Sequence, residues 1–320
     1  GVLRAADRNG GQRLIYSGNM GITQMVTVFG VQDVAYLGSA DGRILSLDLA
    51  TGDLLTESQA MNGGVVDLVL GDGNALYVAT SSQLFKLDVG LSILTQVSLV
   101  GALIDLDFET VHGSVYALTS TGLYAFDANL SPQCAVTDFA GTPSTLAIGE
   151  SGVYVGTQAG ILRALTFCQN ISGVGMKILD TWRYPRTGSL GSAITSITVD
   201  ERDVDPIYLA VENGSIHSLS FAGALQWTYQ SNASGRLSIP SIDERSGRLF
   251  YADSTGTLTI LSADGVPAFP VNSTLSHGSA ATANTAIDEV RRQTASGMRL
   301  FRIYYFGADD GWVYKVESIR

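Results

Sequence analysis

The chain is predicted to fold as an all-β, seven-bladed β-propeller of four-stranded antiparallel blades, with the ring closed by the N-terminal strand. Three observations predict it. A tyrosine-bearing segment recurs at Tyr36, Tyr77, Tyr116, Tyr154, Tyr208, Tyr251 and Tyr304 or Tyr305, and a period of roughly 40 residues built from short strands is the signature of propeller blades. Each segment is followed by a Gly-bearing turn and an alternating strand. The composition, with 36 glycines, 45% hydrophobic and only 15% charged residues, suits a packed β domain and excludes a disordered chain.

The elements follow in order. Residues 1–18 contain DRNGGQRLIYSG (Asp7 to Gly18), which reads like the turn and fourth strand of a blade and is expected to complete the last one. The blades are placed at approximately 19–62, 63–100, 101–142, 143–190, 191–235, 236–278 and 279–320, within a single domain. Each opens on an apolar run such as VVDLVLG (Val65 to Gly71) or LIDLDF (Leu103 to Phe108), expected to be buried from both sides. The second strand carries the Tyr. A tight turn then places Gly42, Gly122, Gly160, Gly214, Gly256 or Gly311 where positive φ is expected. The third strand alternates, with Ile44, Ser46 and Asp48 facing opposite to Leu45 and Leu47. A second turn, such as DLATGD, leads to the fourth strand. The final unit ends at Arg320 after its third strand, and pairing the two termini would remove two open sheet edges. The alternative is an eight-bladed ring with a blade outside this chain.

Composition also bounds function. The formal net charge is −11, from 19 Lys+Arg against 30 Asp+Glu, so no nucleic-acid partner is expected. No apolar run is long enough to span a bilayer. The chain begins at Gly1 without Met, so a signal peptide, lipid anchor or membrane helix is expected to be removed or to lie upstream. Any membrane contact then runs through segments outside this chain.

The unit from Tyr36 to Leu55 and the outer-strand tryptophans of TWRYP (Thr181 to Pro185) and LQWTY (Leu225 to Tyr229) resemble the PQQ-like repeat of quinoprotein-type propellers. The resemblance implies that Trp182 and Trp227 dock against the neighbouring blade, whereas Trp312 sits on a third strand. It specifies a fold that hosts many activities. The dehydrogenases of this group use a vicinal Cys pair, a Ca²⁺ held by Glu and Asn, and an Asp base. Here Cys134 and Cys168 are far apart in sequence, so neither a cofactor nor catalysis is expected. The non-enzymatic branch, comprising an outer-membrane assembly lipoprotein and pilus-tip adhesin propellers, is the nearer likeness. The segment YYFGADDGWVYKV (Tyr304 to Val316) is similar to pilus-tip blades, although their D-x-D-x-D-G calcium string does not occur.

Other candidates are weighed residue by residue. Asp200, Asp203 and Asp205 could ligate Ca²⁺, but acidic turns recur at the same place in SIDERSG and AIDEVRRQTASG, which favours a solvated turn. His112, His217 and His277 share no ligand spacing, so no metal site is expected. Four sequons start at Asn170, Asn213, Asn232 and Asn272 and read as Ser/Thr-rich turns. Cys134 and Cys168 suit either two thiols or one bridge. Adjacent blades would bring them within bridging distance, and a bridge requires an oxidising compartment.

Sorting charges by face puts most acids, including Asp48, Asp53, Glu109, Glu150, Asp200 and Asp243, on the face of the one–two and three–four turns. The other face holds few acids, such as Asp41, Glu212, Asp253, Asp309 and Asp310. Its funnel mouth, with Asn62, Arg186, Leu190, Arg236, His277 and Asn284, is expected to meet a protein or glycan partner. The function expected is a non-catalytic, extracytoplasmic binding scaffold, of a cell-surface or pilus-associated kind. A periplasmic scaffold for outer-membrane protein assembly and an enzyme with a site in the central funnel are the alternatives.

Overall fold

The computed structural model describes the backbone of residues 2–6, 12–17, 21–28, 33–200, 206–231, 237, 239–243, 246–253, 257–267, 286–294, 297–307 and 313–319, and the side chains of those from 21 to 267. Regular structure among them is β throughout, apart from one 3-10 turn at Asp72–Asn74. The chain divides into two compact units, Gly1–Ile148 with Thr166–Leu179, and Gly149–Leu165 with Asp180–Arg320.

The first unit begins with β1 (Val2–Ala6) and β2 (Gln12–Ser17), which pair with each other as an antiparallel hairpin. The sequence places a turn and then one strand, near Arg13 to Ser17, in residues 1–18; the structure has β2 there and adds β1 before it. Three four-stranded antiparallel sheets follow. One contains β3 (Ile22–Val28), β4 (Val34–Ser39), β5 (Ile44–Asp48) and β6 (Leu54–Glu57). The next contains β7 (Val65–Leu70), β8 (Leu76–Thr80), β9 (Gln83–Leu87) and β10 (Ile93–Ser98). The third contains β11 (Leu103–Glu109), β12 (Ser114–Thr119), β13 (Gly122–Phe126) and β14 (Pro132–Val136). β15 (Pro143–Gly149) runs to the unit boundary.

In the second unit, β16 (Gly152–Thr157) and β17 (Leu162–Leu165) pair. The first unit then takes back a short hairpin of β18 (Gln169–Ile171) and β19 (Gly175–Lys177). β20 (Asp180–Tyr184) returns to pair with β17. Next come the four-stranded sheet of β21 (Ile194–Val199), β22 (Ile207–Val211), β23 (Ser215–Leu219) and β24 (Leu225–Gln230), and the three strands β25 (Ser241–Asp243), β26 (Arg248–Ala252) and β27 (Leu258–Leu261). The last sheet is β28 (Ala286–Thr294), β29 (Gly297–Gly307) and β30 (Val313–Ile319).

Sequence neighbours are sheet neighbours in the four-stranded sheets, as short turns between antiparallel strands require, except that β17 pairs with β20 across the β18–β19 hairpin. Sheets pack face to face. Tyr36, Ile44 and Met61 of one sheet and its exit loop meet Val65, Leu68, Val78 and Phe85 of the next. Tyr77, Ala79 and Leu84 then meet Leu106, Val115 and Phe126. In the second unit Tyr208 and Ile216 meet Leu249 and Tyr251.

Burial departs from the sequence reading in two ways. The first strands are only partly buried, as in β7 and β11, where buried and half-buried positions mix without regular alternation, whereas the second strands β8, β12, β16 and β22 are buried at every residue. A first strand lies at a sheet edge, while a second strand has paired neighbours on both sides and sheets over both faces. For the same reason β5 does not alternate: Ile44, Leu45, Ser46 and Leu47 are all buried. The turn glycines also divide. Gly42, Gly160 and Gly214 take positive φ as expected. Gly122 does not, because Thr119 pairs directly with Gly122 across a two-residue turn. It is glycine for space: a Cβ there would lie 2.5 Å from Val136 O. Gly256 and Gly311 lie outside the described residues.

A bulge recurs in the first strands, between Ile22 and Gln24, Val65 and Asp67, Leu103 and Asp105, and Ile194 and Ser196. Each places a polar residue where the ladder slips.

Candidate functional site

A cleft of about 650 Å³ lies in the second unit along the sheet-edge strand β20. Its floor is built by pairing: Ala164 on β17 opposes Trp182 on β20, and Arg163 opposes Arg183. Arg163 donates from Nε to Asp180 Oδ1 at 2.7 Å and from its terminal nitrogen to Oδ2 at 2.5 Å. This fork fixes the start of the strand.

The wall is the β23–β24 turn, Phe221-Ala222-Gly223. Trp182 Nε1 donates to Phe221 O at 3.0 Å, and its ring covers Gly223, where a Cβ would approach within 2.5 Å and φ is +76°. Only glycine fits there. One sheet further on, the device repeats. Trp227 Nε1 donates to Ala263 O at 2.8 Å, and a Cβ on Gly265 would meet the Trp227 ring at 2.4 Å. The two tryptophans thus dock on the next sheet's turn, the role the sequence assigned them. Trp312 lies outside the described residues.

Tyr154 completes the aromatic side, its ring centroid 6.0 Å from that of Trp182. Its hydroxyl lies 3.1 Å from Ser151 Oγ. Thr181 Oγ1 donates to Ala164 O at 2.9 Å. Phe221 leaves 51% of its surface exposed. Arg183 is held in place by donating to Pro185 O at 3.1 Å and to Gly188 O at 2.6 Å. Arg186 is exposed and has no ion-pair partner among the described residues. Among the described residues, no Asp or Glu lines the cleft.

A second cleft of about 360 Å³ in the first unit is lined by Tyr124, Phe126, Gln133, Cys134, Met176 and Lys177. Beside it Cys134 and Cys168 form a disulfide with Cα atoms 5.9 Å apart. Cys168 N–H donates to Tyr116 Oη at 2.8 Å, so the second-strand tyrosine anchors this loop. Tyr77 does the same for its neighbour, donating to Ala128 O at 2.9 Å.

The first unit also holds an acid pair that the sequence reading did not single out. Asp67 accepts from the N–H of Leu68 at 2.8 Å and of Leu106, on the next sheet, at 3.0 Å. Asp105 accepts from Leu106 at 3.1 Å and from Leu146 at 2.9 Å. The two carboxyls share a hydrogen bond. Burial, together with the charge of Asp107, pushes Asp67 up to about 6, against the pull of its N–H donors. Burial and the charge of Asp67 push Asp105 up to about 7. The two buried carboxyls thus hold on to a shared proton more firmly than free carboxylates would.

His217 is buried, and burial lowers its pKa. Ser215 Oγ donates to Asn213 Oδ1 at 2.7 Å, which leaves it to accept from His217 Nε2–H at 3.0 Å. Tyr184 then donates to Nδ1 at 3.0 Å. The ring is neutral and every polar atom is engaged, so this is a structural clasp. His112 sits beside Glu109, Nδ1 to Oε2 3.1 Å.

Of the residues expected at the funnel mouth, Asn62 is exposed in the first unit, and Arg186 and half-buried Leu190 belong to the second. Only Arg186 lines a cleft, and there it joins Phe221–Gly223, a turn the sequence reading put on the other face. Arg236, His277 and Asn284 lie outside the described residues, as do Asp203, Asp205, Asn232 and Asn272. Asp200 is buried, its N–H bonded to Pro206 O. No group of three metal-ligating side chains occurs among the described residues. Sequence reasoning missed Phe221 and Arg183. The adjacency of Trp182, Arg183 and Arg186 in TWRYPR was the available signal.

No family model matches the chain, and no curated protein matches it. Among solved structures it is similar to the crystal structure of the computationally designed Ika8 protein, with a TM-score of 0.69 at 16% identity over 93% of this chain and 96% of that one. The fold is propeller-like. At that identity the likeness extends to architecture alone.

Proposed function

We propose that this chain is a non-catalytic, extracytoplasmic binding scaffold, a seven-bladed ring closed by its N-terminal strand that presents the Trp182 cleft to a protein or glycan partner. The observation that carries this reading is the cleft itself. It is of small-molecule size, it has an exposed aromatic ring and a guanidinium with no ion-pair partner among the described residues, and its walls are locked by the Arg163–Asp180 fork and by Trp182 on Gly223. A rigid wall with a few exposed contacts is what recognition without chemistry needs. The Cys134–Cys168 disulfide supports an oxidising location. The repeat's resemblance to PQQ-like propellers of the adhesive and assembly branch supports a role in surface attachment.

The test is to probe the purified chain against glycan and surface-protein arrays, alongside Arg186→Glu and Phe221→Ala, with circular dichroism confirming that both variants fold. The expected result is a specific binder whose signal falls about tenfold or more in both variants. No binder on either array, or binders indifferent to both substitutions, would remove this reading.

A further inference from the structure

We infer that the Trp182 cleft takes an anionic saccharide, with its acidic group on the Arg186 guanidinium and a sugar ring against Phe221. This rests on the binding-scaffold reading and names the ligand class for the same site.

Charge is the first argument. In a chain with 30 acids and 19 bases, the cleft lining among the described residues holds two arginines and no acid. Arg183 is committed to Pro185 O and Gly188 O. Arg186 is exposed and keeps its donors for a ligand. A guanidinium offers a planar donor fork that fits carboxylate or sulfate oxygens.

The hydroxyls supply the second argument. Thr181 Oγ1 already donates to Ala164 O, and Ser151 and Tyr154 hydrogen-bond each other. Trp182 Nε1 is likewise spent on Phe221 O. What remains on the Thr181 and Ser151 oxygens is mostly lone pairs, which are acceptors. A ligand rich in O–H donors satisfies them, and a sugar is such a ligand. A peptide brings few O–H groups and needs main-chain partners instead.

Shape and surface complete the case. Phe221 is half exposed, and an aromatic face suits the C–H face of a pyranose ring. A cleft of about 650 Å³ lies within the small-ligand range, enough for a short oligosaccharide.

Calorimetric titration of the full chain at low salt tests this with four probes: a trimer of galacturonic acid, a sulfated heparin-derived disaccharide, neutral maltotriose, and an acidic tyrosine-containing peptide. At least one of the two anionic sugars is expected to bind about tenfold tighter than maltotriose, the two probes separating carboxylate from sulfate. Arg186→Ala should abolish that margin, Arg186→Lys should keep part of it, and Phe221→Ala should weaken every sugar. Three results overturn the inference. Equal binding of neutral and anionic sugars, unaltered by Arg186→Ala, removes the charge preference. Binding of the peptide alone removes the saccharide. Binding of no probe removes both. In each case the broader reading stands or falls separately on the arrays, which are blind to ligand class.

Discussion

A buried carboxyl stays protonated when a neighbouring carboxylate can use its proton, and Asp105 beside Asp67 is that case. With both folded-state values raised, to about 7 for Asp105 and about 6 for Asp67, the sign of the effect on stability is fixed. Below about pH 4, folded and unfolded chains both hold the protons, and the pair is at its most favourable. Between about 4 and 7 the unfolded chain has shed protons that the folded chain keeps, so stability declines as pH rises. Above about 7 the decline is complete. Asp105→Asn keeps a carbonyl for Leu146 N–H and an N–H donor for Asp67, with nothing to ionise. Urea midpoints should show the variant more stable by about 2 kcal/mol at pH 8 and close to the parent at pH 4. An equal gain at both pH values would show that the effect is not protonic. The sequence put both acids in apolar runs. It did not show that each lies at a bulge whose next-sheet neighbour offers an N–H, because that depends on how two sheets stack.

At the scale of elements, the β18–β19 hairpin is the departure from a plain blade. Its strands are three residues each, too short to show a two-residue alternation. The sequence therefore gave only a stretched interval between Tyr154 and Tyr208. The hairpin is joined to β14 by Cys134–Cys168 across a separation of 34 residues, and by Tyr116 Oη accepting from Cys168 N–H. Reducing the bond, or replacing both cysteines by serine, frees a denatured-state loop of that length and should cost about 3–4 kcal/mol in urea unfolding of the native chain. Limited proteolysis should then cut first near Ile171–Gly175. A variant as stable and as resistant as the parent would mean that the hairpin is held without the bond. The candidate cleft was legible to the same degree. Arg186 and Trp182 stand out in TWRYPR, but Phe221 lies some forty residues on, in a turn like any other. Only the docking of Trp182 on Gly223 brings it into the wall.

For the whole molecule, charge decides more than any single pair. Ion pairs among the described residues include Arg43 with Asp41 and Glu57, Arg163 with Asp180, and His112 with Glu109, each with at least one partner substantially exposed. Exposed pairs of this kind contribute about 0–1 kcal/mol each. Against them stands a net charge of −11, whose self-repulsion acts over a Debye length and shrinks as salt is added. Salt weakens both terms, so the direction of change shows which is larger. Repulsion from a surplus of 30 acids over 19 bases is expected to outweigh the exposed pairs among the described residues. The melting temperature at pH 7.5 should therefore rise by roughly 2–5 °C between 20 and 300 mM sodium chloride. Calorimetry in chloride rather than sulfate keeps this separate from the general stabilisation that strongly hydrated anions give by exclusion from the surface. A melting temperature that falls with salt would mean that attraction between local charges holds the chain together more than its net charge strains it. The Trp182 cleft should respond the other way, since an anion bound at Arg186 sits in a local positive field that salt screens.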